Sequence, residues 1–496
     1  MRYFSTRGVK NFGGVSAGEA ILRGIAPDGG LYVPERIPHF NESGMSLNEL
    51  INLNYAALAE KILGLYLSDF TPDEIKNCAE TAYGGDNFTD LNVAPLTYVK
   101  KINVSFLELF HGRTLAFKDM ALSILPLMMN IAAEKTGRKT KTLILTATSG
   151  DTGKAALEGF ANRPGAEIAV FYPENGISTM QKKQMITQRG ENTFVVGVRG
   201  NFDDAQTGVK KLFLNENLRN DLAGAGRELS SANSINIGRL LPQIAYYFYA
   251  YGQMAKKNIV KPGEKINFSV PTGNFGNILA AFYAKKMGLP VNNLICASNE
   301  NKILTDFINT GTYDKNREFH RTASPSMDIL ISSNLERFVH YFAGNKTAGL
   351  MNDLRDGGSF NFNIENGGLA GYHADDSETF AAIKKAWDAG YLIDTHTAVG
   401  YFCYEKYLNE TRDETPCVII AAASPYKFPE DVCRAISGER ISDAFTAARK
   451  LSIATGVKIP GALTELESLQ ERHLTLCDPD EMEDIIRKKY IRRDDR

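Results

Sequence analysis

Lys118 stands in Leu115-Ala116-Phe117-Lys118-Asp119-Met120-Ala121-Leu122, a run otherwise apolar enough to be buried. The stretch "KDMALSILPLMMNIAAEK" predicts one helix that begins at this lysine, with Asp119 as a first-turn acid. An ammonium there meets the positive pole of the helix dipole. Apolar neighbours disfavour the charge as well, and full burial depresses a lysine by up to ~3–5 pKa units. A neutral lysine is a nucleophile and a base, fit to form an imine with a carbonyl and to move protons on a substrate. The plainer alternative is a lysine that lays its stem along apolar surface and delivers its charge to water.

Two loops have the build of anion sites. "INFSVPTGNFGNILAAFYAKK" reads as strand, glycine loop and helix. Gly273 and Gly276 are free to take backbone angles closed to other residues, so that successive N–H groups converge where the helix points its positive end. The alternative is a tight turn with Asn277 as helix N-cap. "TLILTATSGDTGKAALEGF" repeats the design. Its Gly153-Lys154 imitates a nucleotide-binding P-loop, but Thr148 and Ala155 stand where that motif needs Gly and Ser or Thr. Neither loop contains G-x-G-x-x-G, which argues against a dinucleotide fold. Asp151 is placed to cap the following helix or to work in a site. "SSANSINIGRLLPQ" adds Ser234, Asn236 and Arg239, and arginine is the natural bidentate partner of phosphate or carboxylate, though a lone arginine is usually a surface residue. A neutral lysine beside a phosphate cradle is the equipment for pyridoxal phosphate (PLP), which offers a carbonyl and a phosphate on one molecule.

The elements that must position these residues alternate. From about residue 100, "TLILTA", "EIAVFYP", "TFVVGV" and "KINFSV" are short β-rich runs, each followed by a helical one, and "CVIIAAA" comes later. That alternation predicts parallel sheets covered by helices. The first hundred residues are mixed, with "SLNELINLNYAALAEKILGLY" at helical spacing. At 496 residues the chain exceeds the roughly 250–300 at which one core stops growing, so at least two lobes are expected. The division read here is an N-terminal segment 1–98, a two-lobed catalytic part 99–460 and a helical C-terminal segment 461–496, whose charged end "IIRKKYIRRDDR" reads as a solvated face or tail.

A net charge of −2 gives no broad reason to bind nucleic acid or an anionic membrane. No run is long and apolar enough to span a bilayer, and "MRYFSTRGVKNFGG" has no apolar leader core. The six cysteines have neither CxxC spacing nor histidine companions, so no metal site is expected and buried free thiols are. A cytoplasmic protein is expected.

Together "STRG", "APDGGLYVPE", "HGRTLAFKD", "ATSGDTG", "SSANSINIGRLLPQ", "PTGNFGN", "SPSMDILISSNLER", "DTHTAVGY" and "SPYKF" resemble the threonine synthases of the longer bacterial and fungal type. The resemblance runs nearly end to end. It implies an α/β fold, PLP fold type II like the tryptophan synthase β-subunit, with two lobes of parallel-rich sheet and an N-terminal mixed segment. It implies PLP held covalently by Lys118, its phosphate on Gly273, Asn274, Phe275, Gly276 and Asn277, and Ser149, Asp151 and Thr152 beside ring and substrate. Asn236 and Arg239 would take the substrate's phosphate or carboxylate. The implied reaction turns O-phospho-L-homoserine and water into L-threonine and phosphate, in a monomer. Three positions depart from the pattern. Arg113 replaces a proline, implying a looser turn before the lysine. Ala422 stands where a Ser or Thr meets the pyridine nitrogen, with Ser424 as substitute. Thr395 stands where proline is common, beside a site-adjacent His396. Rival readings are another PLP lyase of this fold, such as a serine or threonine dehydratase, and a PLP-binding homologue without catalysis.

Overall fold

The computed structural model describes residues 1–8, 13–174, 177–364 and 367–491. An antiparallel ribbon joins β1 (Tyr3–Ser5) to β2 (Tyr32–Pro34). The first large sheet contains β3 (Leu96–Val99), β4 (Val104–Glu108), β9 (Ile266–Pro271), β10 (Val291–Ser298), β13 (Leu369–His373) and β14 (Cys417–Ala421). Their order is β13-β10-β9-β14-β4-β3, parallel throughout except where β3 pairs with β4. The second sheet contains β5 (Lys141–Ala147), β6 (Ala166–Pro173), β7 (Thr193–Val198), β8 (Arg227–Ser231) and β15 (Thr475–Cys477). All its pairs are parallel, in the order β15-β7-β6-β5-β8. A small ribbon pairs β11 (Thr312–Asp314) with β12 (Ser359–Asn361).

Every residue of β9 and β14 is buried, and so is β5 after its first residue. Unbroken apolar runs are what a parallel sheet covered on both faces requires, since neither face meets water. Because β5 to β8 fall between β4 and β9 in the chain, the second lobe is an insertion into the first. The carboxyl ends of β4, β5, β8, β9 and β14 lead into residues 109–118, 148–150, 232–236, 272–275 and 422–424. Open α/β sheets bind ligands at such ends. Every loop singled out from the sequence is among them.

The helix Ile237–Lys256 is buried along nearly its whole length and packs against the N-terminal helix Tyr55–Gly64. The N-terminal segment therefore braces the helix whose first turn holds Arg239. The structure adds detail to three readings. The apolar stretch from Leu47 folds as two helices, Leu47–Asn52 and Tyr55–Gly64, because the Asn54 side chain caps the second by accepting from Ala57 N at 2.9 Å. The division at 98/99 falls inside β3, so a strand of the first sheet rather than a linker joins the segments. The C-terminal segment adds β15 to the edge of the second sheet and buries Met482, Ile486 and Tyr490 against it. It is thus part of that lobe's core rather than only a solvated face, while residues 492–496 of the charged tail lie outside the described residues. All six cysteines are buried and free, and no helix among the described residues is long and apolar enough to cross a membrane.

Candidate active site

Lys118 projects from a turn held on both sides. Ala116 bridges Ala423, Phe117 N donates to Ala422 O at 2.8 Å, and Ser424 N donates to Leu115 O at 3.0 Å. Within the turn, Thr114 N and Oγ1 donate to the Asp119 carboxylate at 2.9 and 2.7 Å. Gly112 is required, since a Cβ there would collide with Asp119. The Arg113 side chain is largely exposed, 3.7 Å from Glu158, and the Thr114–Asp119 contacts hold the turn.

The single helix expected at Lys118 is two helices, Asp119–Leu122 and Leu125–Lys135, with Pro126 in the first turn of the second. Lys118 caps a helix of only 4 residues, too short for its dipole to govern the amine. The depression comes from elsewhere. Burial, then the nearby Arg239 and Lys427 cations, bring Lys118 down to about 7 against the opposing pull of Asp151. Its Nζ lies 4.1 Å from the Phe117 ring centre, and among the described residues no acceptor reaches it.

Thr148, not Asp151, caps the helix Asp151–Phe160, its Oγ1 accepting from Gly150 N at 2.9 Å and Gly153 N at 2.8 Å. Asp151 is the first residue of that helix and is buried. Its Oδ1 accepts from Gln181 Nε2 at 2.8 Å and meets Lys427 Nζ at 2.6 Å. Burial alone would raise the carboxyl, but the Lys427 ammonium and the Gln181 amide hold it below its ordinary value. Ser149 and Thr152 flank it, partly exposed, their hydroxyls unbonded among the described residues.

In the second loop the left-handed residue is Phe275, at φ 61°, and neither Gly273 nor Gly276 has a positive φ. Gly273 is needed for a different reason: a Cβ there would lie 2.8 Å from the Ser326 carbonyl oxygen. The loop's carbonyls are tied back. Ser332 Oγ donates to Gly273 O at 2.7 Å, and Asn334 donates from N at 3.1 Å and Nδ2 at 3.0 Å to Asn274 O. The backbone N–H groups of Gly273 to Asn277 have no acceptor among the described residues, and the 11-residue helix Gly276–Lys286 starts there. Asn277 is not the N-cap; its Oδ1 accepts from Tyr246 and Tyr247 hydroxyls, both at 2.5 Å, leaving Nδ2 unpartnered. A cleft of about 1150 Å³ reaches Ser234, Asn274 and Ser333 from the surface.

Arg239 is buried rather than on the surface. Nη1 donates to Ala232 O at 2.9 Å, Nε has no partner, and no carboxylate pairs with it among the described residues. Burial depresses the guanidinium to about 10. A buried cation without a counter-ion is costly, and the cost is relieved when an anion arrives. Asn236 has a different task from the one expected. Its amide donates to Ile21 O and Ser231 O, both at 2.9 Å, and accepts from Gly238 N at 2.9 Å, which leaves no N–H donor for a phosphate or carboxylate.

Ala422 presents only a methyl, and its N–H donates to Thr397 Oγ1 at 3.2 Å. Ser424 caps its own turn, accepting from Tyr426 N at 3.4 Å, and borders a separate cavity lined by His111, Arg113 and Lys154 but not by Lys118. His396 Nδ1 is 2.9 Å from Asp394 Oδ2, and Nε2 accepts from Ser326 N at 3.1 Å. That pattern assigns the proton to Nδ1, and it fixes the segment packed against Gly273.

Residues that sequence reasoning passed over are Lys427, Gln181 and Ser332–Asn334. Lys427 had a legible signal, a lysine set between Tyr426 and Phe428-Pro429, the same cation-in-apolar-run pattern that marked Lys118.

This geometry fits PLP: a cradle of unpaired N–H groups for a phosphate, and an amine of lowered pKa without a hydrogen-bond partner for a carbonyl. Comparison with known proteins agrees. A model of pyridoxal-phosphate dependent enzymes matches residues 92–422, which defines the class, fold type II of the PLP enzymes. Models of the threonine synthase N terminus and C-terminal region match residues 2–83 and 397–486. A threonine synthase from Pseudomonas aeruginosa is 35% identical over 95% of this chain and 98% of its own. The crystal structure of PLP-bound threonine synthase from Brucella melitensis superposes with a TM-score of 0.83 at 33% identity, covering 99% of this chain and 100% of that one. The human protein threonine synthase-like 1 is 39% identical over 86% of this chain, which spans 58% of the human protein's length. The chain belongs to the threonine synthase family.

Proposed function

We propose that this protein converts O-phospho-L-homoserine and water into L-threonine and phosphate. The observation that supports this most is that three unsatisfied groups lie in or just after loops at the carboxyl ends of the strands: the Lys118 amine, the N–H groups of residues 273–277 and the acid-free Arg239. Bound PLP supplies a carbonyl and a ring that accepts electron density from the substrate's Cα. Gly273 to Asn277 would hold its phosphate through backbone N–H groups, and Lys118 would hold its carbonyl end. Asp151 would stand at its ring edge, fixed there by Lys427 and Gln181.

Once the substrate amine has taken its place, Lys118 would be free to move protons. With a pKa of about 7 in the cofactor-free protein it is matched to removing protons from Cα and Cβ and to delivering them to Cγ, once phosphate has left it, and back to Cα. Phosphate leaves Cγ between those transfers, and water adds at Cβ. Arg239 would bind the substrate's phosphate or carboxylate, with the Ser149 and Thr152 hydroxyls as lesser partners.

A second reading, a PLP-binding protein without this catalysis, draws on Ala422, which offers only a methyl at the position expected to meet the pyridine nitrogen and leaves the Ser424 hydroxyl as the substitute. Incubation of purified protein with PLP and O-phosphohomoserine separates the two. Equimolar release of threonine and phosphate is expected, and phosphate without threonine, or neither, excludes the leading reading. We further read the protein as a cytoplasmic monomer that takes a small substrate and neither nucleic acid nor membrane. Its three-part division is retained, with the first boundary placed ahead of β3.

A further inference from the structure

Lys427 is fully buried and belongs to the turn after β14, in the first lobe. Its Nζ makes two contacts among the described residues. One is the Thr114 carbonyl at 2.9 Å, four residues before Lys118. The other is Asp151 Oδ1 at 2.6 Å, in the second lobe. The Lys427 carbonyl in turn accepts from Ser178 Oγ at 3.3 Å. We propose that Lys427 is a positioning residue for Lys118: its ammonium captures the Asp151 carboxylate, so that this carboxylate is withheld from the Lys118 amine, and it ties the lysine's turn to the opposite lobe.

The argument follows from the charges present. Lys118 faces Arg239 from the helix Ile237–Lys256, Asp151 from the helix Asp151–Phe160 and Lys427 from the turn. Asp151 faces Lys427, Gln181 from the helix Thr179–Ile186, and His396 from the helix Thr395–Thr411. Lys427 also faces Asp119. Of these acids only Asp151 favours the charged form of Lys118, and Lys427 meets it directly. Removing Lys427 leaves a buried carboxylate in need of a cation, and Lys118 is at hand to supply one. The amine would then be held as ammonium and lose its nucleophilicity.

This rests on the reading of Lys118 as the reactive amine, and the test keeps the two apart. The full-length protein is stripped of cofactor with hydroxylamine, and the Lys118 amine is labelled with acetic anhydride across pH 6–9.5 as probed by mass spectrometry of its peptide. Capture of PLP is followed in parallel and reports on the reading alone. In Lys427→Met the labelling midpoint is expected to rise by about one pH unit, slowing labelling at pH 6 about tenfold. Lys427→Arg should stay near the wild-type midpoint, and Lys427→Met/Asp151→Asn should return to it or fall below it. Should Lys427→Met fail to fold, Asp151→Asn alone decides, with a lowered midpoint expected. An unchanged midpoint in Lys427→Met, or in Asp151→Asn, overturns the proposal even where PLP is captured normally.

Discussion

At the scale of single residues, the chemistry of Lys118 is a matter of which charges surround it. Burial and two neighbouring cations make its ammonium costly, and the one nearby carboxylate, Asp151, which is paired with Lys427, offsets them only in part. In the cofactor-free protein the folded lysine titrates at about 7 against an ordinary 10.5. Its folded value being depressed, the unfolded chain binds the extra proton between those limits, so stability rises with pH from 7 towards 10.5 and the penalty is full below 7. Lys118→Met is therefore expected to stabilise the cofactor-free protein, on the order of 2 kcal/mol at pH 6 and progressively less above pH 7. Thermal melts at pH 6 and 9.5 check both size and direction. In the same protein turnover should be lost. The sequence revealed that this lysine was out of place, since composition and neighbours were enough for that. It did not reveal why the amine is neutral, because Arg239 and Lys427 lie 121 and 309 positions downstream and only the tertiary fold brings them near. The helix-dipole argument was local, and the local helix is a single turn.

At the scale of elements, the site is a set of strand ends and the loops that leave them. In the 273–277 loop the Gly273 and Asn274 carbonyls are tied back to residues 332–334, which leaves the loop's N–H donors free for an anion. Gly273→Ala would press a methyl onto the Ser326 carbonyl at 2.8 Å, displacing the segment that His396 fixes. The expected outcome is PLP affinity lowered about tenfold or more with stability changed by at most ~1 kcal/mol, read by cofactor titration and denaturant unfolding. Strands and loops of this site were visible as apolar runs and glycine turns. What the glycines do was not: the positive φ belongs to Phe275, a residue type that gives no such signal. Asn236 likewise looked like a ligand group, but its three bonds all turn inward, which pattern reading cannot distinguish from a free amide.

At the scale of the molecule, the second lobe is completed by the far end of the chain. β15 pairs with β7, and Met482, Ile486 and Tyr490 share a core with Val196 and Val198. Truncation after residue 460 would uncover that apolar surface and the edge of β7, with an expected loss of several kcal/mol from this lobe alone. Limited proteolysis should then cut within residues 141–231 before it cuts the first sheet. The charged C-terminal composition concealed this role, because a three-residue strand and one amphipathic helix leave little trace in sequence. The bracing of the helix Ile237–Lys256 by the N-terminal helices was equally hidden. Both are contacts between parts of the chain hundreds of residues apart.

The central claim is that Lys118, and no other lysine, holds the cofactor and yields it to the substrate. Borohydride reduction of the PLP-loaded protein, followed by peptide mass spectrometry, tests it directly. The pyridoxyl label is expected on the Lys118 peptide alone, and prior addition of O-phosphohomoserine should remove it from that peptide. Label spread over other lysines, or label on Lys118 that the substrate cannot displace, would contradict the account.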